Sequence, residues 1–133
     1  MFWLVVFLAV VAGWDLGWYA AGVRPLFPWQ LKRELAQSPD GMRLIDVRTS
    51  AEYRLFHIPG AENRPDLLLQ PEDLSPETLQ RPGVVICMTG HRSPLVAHRL
   101  QRLGVRKAYN LTWGMAGWKL FGGKTRRGIP PGG

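Results

Sequence analysis

The chain has 133 residues, a formal net charge of +7 and one cysteine. That length supports one hydrophobic core plus an appendage. A single cysteine excludes an internal disulfide, a thiolate-rich metal site and any resolving thiol within the chain. The three histidines, His57, His91 and His98, lack the paired spacing of zinc ligands, so no metal is expected, and nothing in the sequence calls for another cofactor.

Residues 1–23 hold one charge, Asp15, among apolar, aromatic and small residues. As a helix they would reach about 34 Å, enough to cross a hydrocarbon core. Trp14, Trp18 and Tyr19 would then sit at one interface with Arg24, Lys32 and Arg33 just beyond it, and the positive-inside rule places the remaining chain in the cytoplasm as the soluble part of a single-pass membrane protein. Asp15 opposes this by about 3 kcal/mol at mid-membrane and by less near the interface. The rival is a cleaved export signal, with Phe2–Val11 as its apolar stretch, although no basic residue precedes it. All 17 Lys and Arg lie from Arg24 onward, a field that favours small anions, anionic lipid headgroups or RNA. No nucleic-acid motif accompanies it, so nucleic acid is not an expected partner.

Pro28-Trp29 opens an amphipathic helix to about Ala36, with Leu31 and Leu35 on one side, and Ser38-Pro39-Asp40-Gly41 is a turn. A strand follows over Arg43–Val47, a short helix begins at Ser50, and His57–Ala61 is a tight turn. Prolines and acids between Arg64 and Pro82 frame one or two short helices. Val84–Cys87 is a strand, Ser93–Leu103 a helix with Ser93 as its N-cap and Pro94 in first position, Lys107–Asn110 a strand, and Gly114–Phe121 a last helix. Strands alternating with helices predict a parallel sheet covered on both faces, which binds ligands at the carboxyl ends of its strands. Residues 123–133, basic and rich in Pro and Gly, read as a disordered tail.

The only thiol begins the loop Cys87-Met88-Thr89-Gly90-His91-Arg92-Ser93, between a strand and a helix N-terminus. A buried cysteine is ordinarily a small hydrophobe. Here Gly90 permits a sharp curl, the following helix contributes its dipole and Arg92 a full charge, so the loop reads as a cradle for a sulfur atom or a compact anion.

Four segments in order resemble a single-domain rhodanese, a sulfurtransferase-type domain. They are Leu44-Ile45-Asp46-Val47-Arg48 with Glu52-Tyr53, His57-Ile58-Pro59-Gly60-Ala61-Glu62-Asn63, the Cys87-to-Ser93 loop, and Tyr109-Asn110-Leu111 through Gly117-Trp118. The resemblance covers about residues 28–122. It implies a three-layer α/β fold with a parallel sheet of about five strands. It also implies transfer of a sulfane sulfur from an anionic donor such as thiosulfate, through a persulfide on Cys87, to a thiol, a protein acceptor or cyanide. A non-turnover sulfur carrier tethered to the membrane is the alternative. In that frame the N–H groups of Met88, Thr89, Gly90, His91 and Arg92 surround the persulfide. Arg92 adds charge or braces the loop. Arg48 either orients the donor or joins Asp46 and Glu52 in an ion cluster. His91 either binds donor or acceptor or is an exposed loop residue. Asp46, His57 and Ser93 are structural neighbours of the site, and His98 is a surface or rim residue. Cysteine phosphatases and arsenate reductases generally place one more residue between Cys and Arg than the four found here. Phe56 and Trp113 stand where the family usually has glycines, so substrate access is where this chain departs from the pattern.

Overall fold

The computed structural model describes residues 1–70, 81–105 and 107–128. In chain order these form α1 (Phe2–Ala20), β1 (Arg24–Leu26), α2 (Pro28–Gln37), β2 (Arg43–Asp46), α3 (Ser50–Leu55), β3 (Glu62–Asn63), a 3-10 turn (Pro65–Leu68), β4 (Gly83–Ile86), α4 (Ser93–Arg102), β5 (Ala108–Leu111) and α5 (Gly114–Leu120). The strands make one five-stranded sheet in the order β1-β5-β4-β2-β3, every pair parallel. Parallel neighbours need crossover connections, which carry the helices onto the two faces.

The two-residue period of β4 sorts the core. Val84 and Ile86 point to the layer holding Leu31 of α2, Tyr53 of α3, and Met115 and Trp118 of α5. Val85 and Cys87 point the other way, to Val96, Ala97 and Leu100 of α4 and Leu67 of the 3-10 turn. All four β4 residues are buried, as expected of a strand covered on both faces. This is the three-layer architecture that the alternating pattern implied. Its central strand delivers Cys87 to the carboxyl edge of the sheet, on the α4 side.

Several boundaries differ from the sequence reading. The sheet begins before residue 28: Arg24–Leu26 pairs with Tyr109–Leu111 as an edge strand, too short to show a periodicity and bearing Pro25, which an edge tolerates. Glu62–Asn63 adds a two-residue strand after the His57–Ala61 turn. Arg92, not Ser93, occupies the N-cap of α4 and makes no side-chain cap; Ser93 lies inside the first turn because its hydroxyl is engaged elsewhere. The described part of the tail is held in place. The Trp118 indole donates to Lys124 O at 2.8 Å, Arg126 exchanges two backbone hydrogen bonds with His57, and Gly128 N–H reaches Arg54 O at 2.9 Å. Composition alone concealed these backbone partners. Residues 129–133 of the expected disordered tail lie outside the described residues, as do residues 71–80 of the Arg64–Pro82 stretch.

Among the described residues, α1 is the one helix long and apolar enough to cross a membrane, and none of its residues is buried.

Candidate active site: the Cys87 loop

Cys87 follows the last residue of β4, and the loop then folds back over its sulfur. Gly90 makes this possible. Its φ is +83°, and a Cβ there would stand 2.7 Å from Trp113 N and 2.9 Å from Leu111 O, so only glycine fits. The Gly90 N–H donates to Cys87 Sγ at 3.0 Å. Among the described residues the second donor to this sulfur is Ser93, whose Oγ lies 3.3 Å away. The amides of Met88, Thr89, His91 and Arg92, expected from sequence to share this task, show no hydrogen bond to it.

Asn110, on the neighbouring strand β5, locks the arrangement. Its Nδ2 donates to Gly90 O at 3.1 Å, which turns its Oδ1 to accept from Ser93 Oγ in a short contact. Ser93 has one proton and two acceptor lone pairs. With Cys87 as thiol, the S–H can donate to Ser93 Oγ while Ser93 donates to Asn110. With Cys87 as thiolate, the Ser93 proton is available to the sulfur. The loop therefore offers hydrogen bonds to both states. Asn110 belongs to a segment quoted for its resemblance, but its side-chain role was not read. The signal was an amide within an otherwise apolar strand, 8% exposed.

The loop's carbonyls are occupied on its other side. Met115 N–H donates to Cys87 O and Ala116 N–H to Met88 O, each at 2.9 Å, so the first turn of α5 is capped by the sulfur loop itself. Trp113 introduces α5 with φ +64°, a left-handed conformation in which a tryptophan is strained by about 1–2 kcal/mol.

The remaining candidates divide. Arg48 is fully buried. It donates through Nε and Nη2 to the Asp46 carboxylate, at 2.9–3.2 Å, and through Nη2 to Phe56 O. The internal pair considered for Arg48 is thus formed through Nε and Nη2, while its buried Nη1 has no hydrogen-bond partner among the described residues. Glu52 does not join that pair; it closes a capping box with Thr49 at the start of α3. Arg92 points out, its side chain 53% exposed and its Nη2 3.9 Å from Glu52, so its charge lies along the α3 surface instead of over the sulfur. His57 is buried, stacked 3.7 Å from the Tyr53 ring, and its Nδ1 donates to Tyr53 O at 2.8 Å. It pins the turn. Phe56 lies under two cations, with Arg48 Cζ 5.1 Å and Lys119 Nζ 4.4 Å from its ring centre.

The foot of α1 lies across the loop. Trp14 Nε1 donates to His91 O at 3.0 Å, Asp15 stands 3.9 Å from His91 Nε2, and the Trp18 ring lies 5.6 Å from that of His98. His91 Nδ1 is 2.9 Å from Thr89 Oγ1. A cavity of about 280 Å³ remains between helix and loop, lined by Leu16 and Tyr19 of α1 and by Phe27, Gly90, His91 and Trp113 among others. Cys87 does not reach it. Cys87 is 1% exposed, with its sulfur under the loop.

The profile of the rhodanese-like domain family matches residues 28–120. The chain belongs to the rhodanese-like family. This rhodanese-like domain is 31% identical over 87 residues to a putative sulfur carrier protein of Bacillus subtilis, covering 65% of this chain and 46% of that protein. It is 30% identical over 76 residues to a thiosulfate sulfurtransferase of Tolumonas auensis, covering 57% and 71% respectively. A rhodanese-like domain protein of Staphylococcus aureus superposes with a TM-score of 0.66 at 25% identity, over 80% of this chain and 100% of the other. The chain spans less than half the length of most of the curated relatives it matches. The rhodanese-like fold thus places a single cysteine at its loop, in an arrangement compatible with either a transferase or a carrier.

Proposed function

We propose that this protein is a rhodanese-type sulfurtransferase working at a membrane, with Cys87 as its nucleophile. The Cys87 thiolate attacks the outer sulfur of a sulfane donor such as thiosulfate. The donor's S–S bond breaks, sulfite leaves with the electron pair, and Cys87 carries a persulfide. A thiolate or cyanide then attacks the outer sulfur, and the sulfur–sulfur bond to Cys87 breaks to regenerate the thiolate. No other cofactor is needed. The observation that carries this reading is the Gly90 N–H aimed at Cys87 Sγ from a loop only glycine can close. A fixed donor of this kind stabilises anionic sulfur without reorganising. The net charge of +7 favours an anionic donor. With four residues between Cys87 and Arg92, and Arg92 turned outward, a phosphoryl or arsenate oxyanion has no guanidinium clamp here.

Because Cys87 is 1% exposed, the loop must open before a donor reaches its sulfur. Entry of α1 into the bilayer, with the domain on the cytoplasmic side, is supported by its apolarity and the basic residues after it; while Trp14 is held on His91 O, it is Phe2–Gly13 that enters. The carrier alternative rests on the lone cysteine, which passes sulfur only to an outside thiol.

Thiosulfate is added to the full chain in detergent, followed by cyanide, with thiocyanate measured and Cys87 examined by mass spectrometry. The transferase reading expects a persulfide with turnover, abolished in Cys87→Ser. Persulfide without turnover makes the protein a carrier, and an unmodified Cys87 refutes both.

A further inference from the structure

Four aromatic side chains outside the sulfur loop form an exposed cluster with no counterpart in the mechanism. Phe27 and Trp29, at the start of α2, stack at 4.8 Å between ring centres. Trp113 and Phe121, at the two ends of α5, stack at 6.0 Å, and Trp29 meets Phe121 edge-on at 5.2 Å. Trp29, Trp113 and Phe121 are 43%, 42% and 44% exposed. Contiguous exposed rings of this kind mark a surface that meets a partner.

Three observations say which partner. The cluster adjoins the foot of α1, since Phe27 and Trp113 line the same cavity as Leu16 and Tyr19. The rim is cationic: the Lys32 ammonium lies beside Gly122, and Arg24 and Arg33 are exposed nearby in sequence. The third is length. From Trp14 onward α1 is engaged with the domain, leaving Phe2–Gly13 free, about 18 Å of helix against a hydrocarbon core of about 30 Å. Insertion of the apolar helix to any greater depth therefore brings the face beside it to the headgroup layer. Tryptophan side chains favour that layer, and lysines and arginines at its edge favour anionic lipid.

We propose that the Phe27–Trp29–Trp113–Phe121 face lies in the headgroup region of an anionic bilayer, seating the domain with its sulfur loop toward the membrane surface. This rests on α1 entering the bilayer, and the six tryptophans allow the two ideas to fail separately. The full chain is labelled with fluorotryptophan and reconstituted in phosphatidylcholine–phosphatidylglycerol vesicles, with and without a lipid bearing a nitroxide near its headgroup. Single Trp→Phe variants assign the fluorine lines. The proposal expects the Trp29 and Trp113 lines to broaden several-fold with the nitroxide while buried Trp118 stays sharp. Broadening of Trp3 with Trp29 and Trp113 unaffected overturns the docking face and leaves the anchor. A Trp3 line that stays sharp also with a nitroxide placed deep in the acyl chain overturns the anchor and the face with it. Trp29 and Trp113 lines that shift with protein concentration irrespective of lipid assign the face to a second copy of the chain and overturn the proposal.

Discussion

Replacing Asn110 with alanine removes the residue that joins β5 to the sulfur loop. Two hydrogen bonds go, Nδ2 to Gly90 O at 3.1 Å and the short one from Ser93 Oγ, in a site where Asn110 is 8% exposed. Each bond contributes about 1 kcal/mol net, rising to about 2 kcal/mol where its buried partner is left unsatisfied, so Asn110→Ala should destabilise the domain by about 2–4 kcal/mol. For a domain of this size that lowers Tm by about 8–16 °C. Differential scanning calorimetry in detergent measures it. Freed from Asn110, the loop should also open more often, so Cys87 should react with iodoacetamide several-fold faster although turnover with thiosulfate falls. Combined with Ser93→Ala the losses should not add, since both act through one bond, with a coupling of about 0.5–3 kcal/mol. A Tm shift below about 2 °C with an unchanged alkylation rate refutes the argument, because the loop would then hold its shape without β5.

Two further outcomes follow from the buried polar groups. Arg48→Met strands the Asp46 carboxylate, which should cost about 3–5 kcal/mol and lower the urea midpoint, while Asp46→Leu with Arg48→Met should recover much of the loss. A raised KM for thiosulfate at unchanged stability would instead return Arg48 to donor binding. Burial, and secondarily the Asp46 charge, holds the Tyr53 hydroxyl above its ordinary pKa of 10.0. The folded state therefore keeps the phenol proton that the unfolded state loses first. The contribution is full below 10.0 and disappears as pH rises through the folded value. Thermal scans at alkaline pH should show Tyr53→Phe flattening the loss of Tm, even though the variant is less stable at neutral pH for want of the 2.6 Å bond to Ala61 O. Parallel alkaline slopes for both proteins would refute this.

What sequence made visible was local and contiguous. Val84 to Ser93 carries the strand, glycine and helix start in one stretch, so the loop and its place at a strand end could be read directly. The same is true of α2, where Pro28 and the Leu31–Leu35 spacing act within a few residues. What escaped depends on chain segments far apart. Asn110 is 20 residues from Gly90, and its role appears only when β5 pairs with β4. The edge strand at Arg24–Leu26 has no periodicity of its own and exists because β5 is there to receive it. The contact of α1 with the loop escaped as well, because a cradle inferred from motif spacing carries no information about a helix 77 residues away whose Trp14 donates to His91 O. Arg48 is a mixed case: its partner Asp46 lies two residues away and could be read, whereas the contact with Phe56 O could not.

The hydrogen bonds that fasten α5 to the sulfur loop run between peptide groups, Met115 to Cys87 and Ala116 to Met88. Scaffold and selectivity are thereby written in different alphabets. The side chains at 89 and 91 can be exchanged without unfastening the helix beneath them, so this loop is a place where a new clientele can be acquired by substitution while the architecture stands.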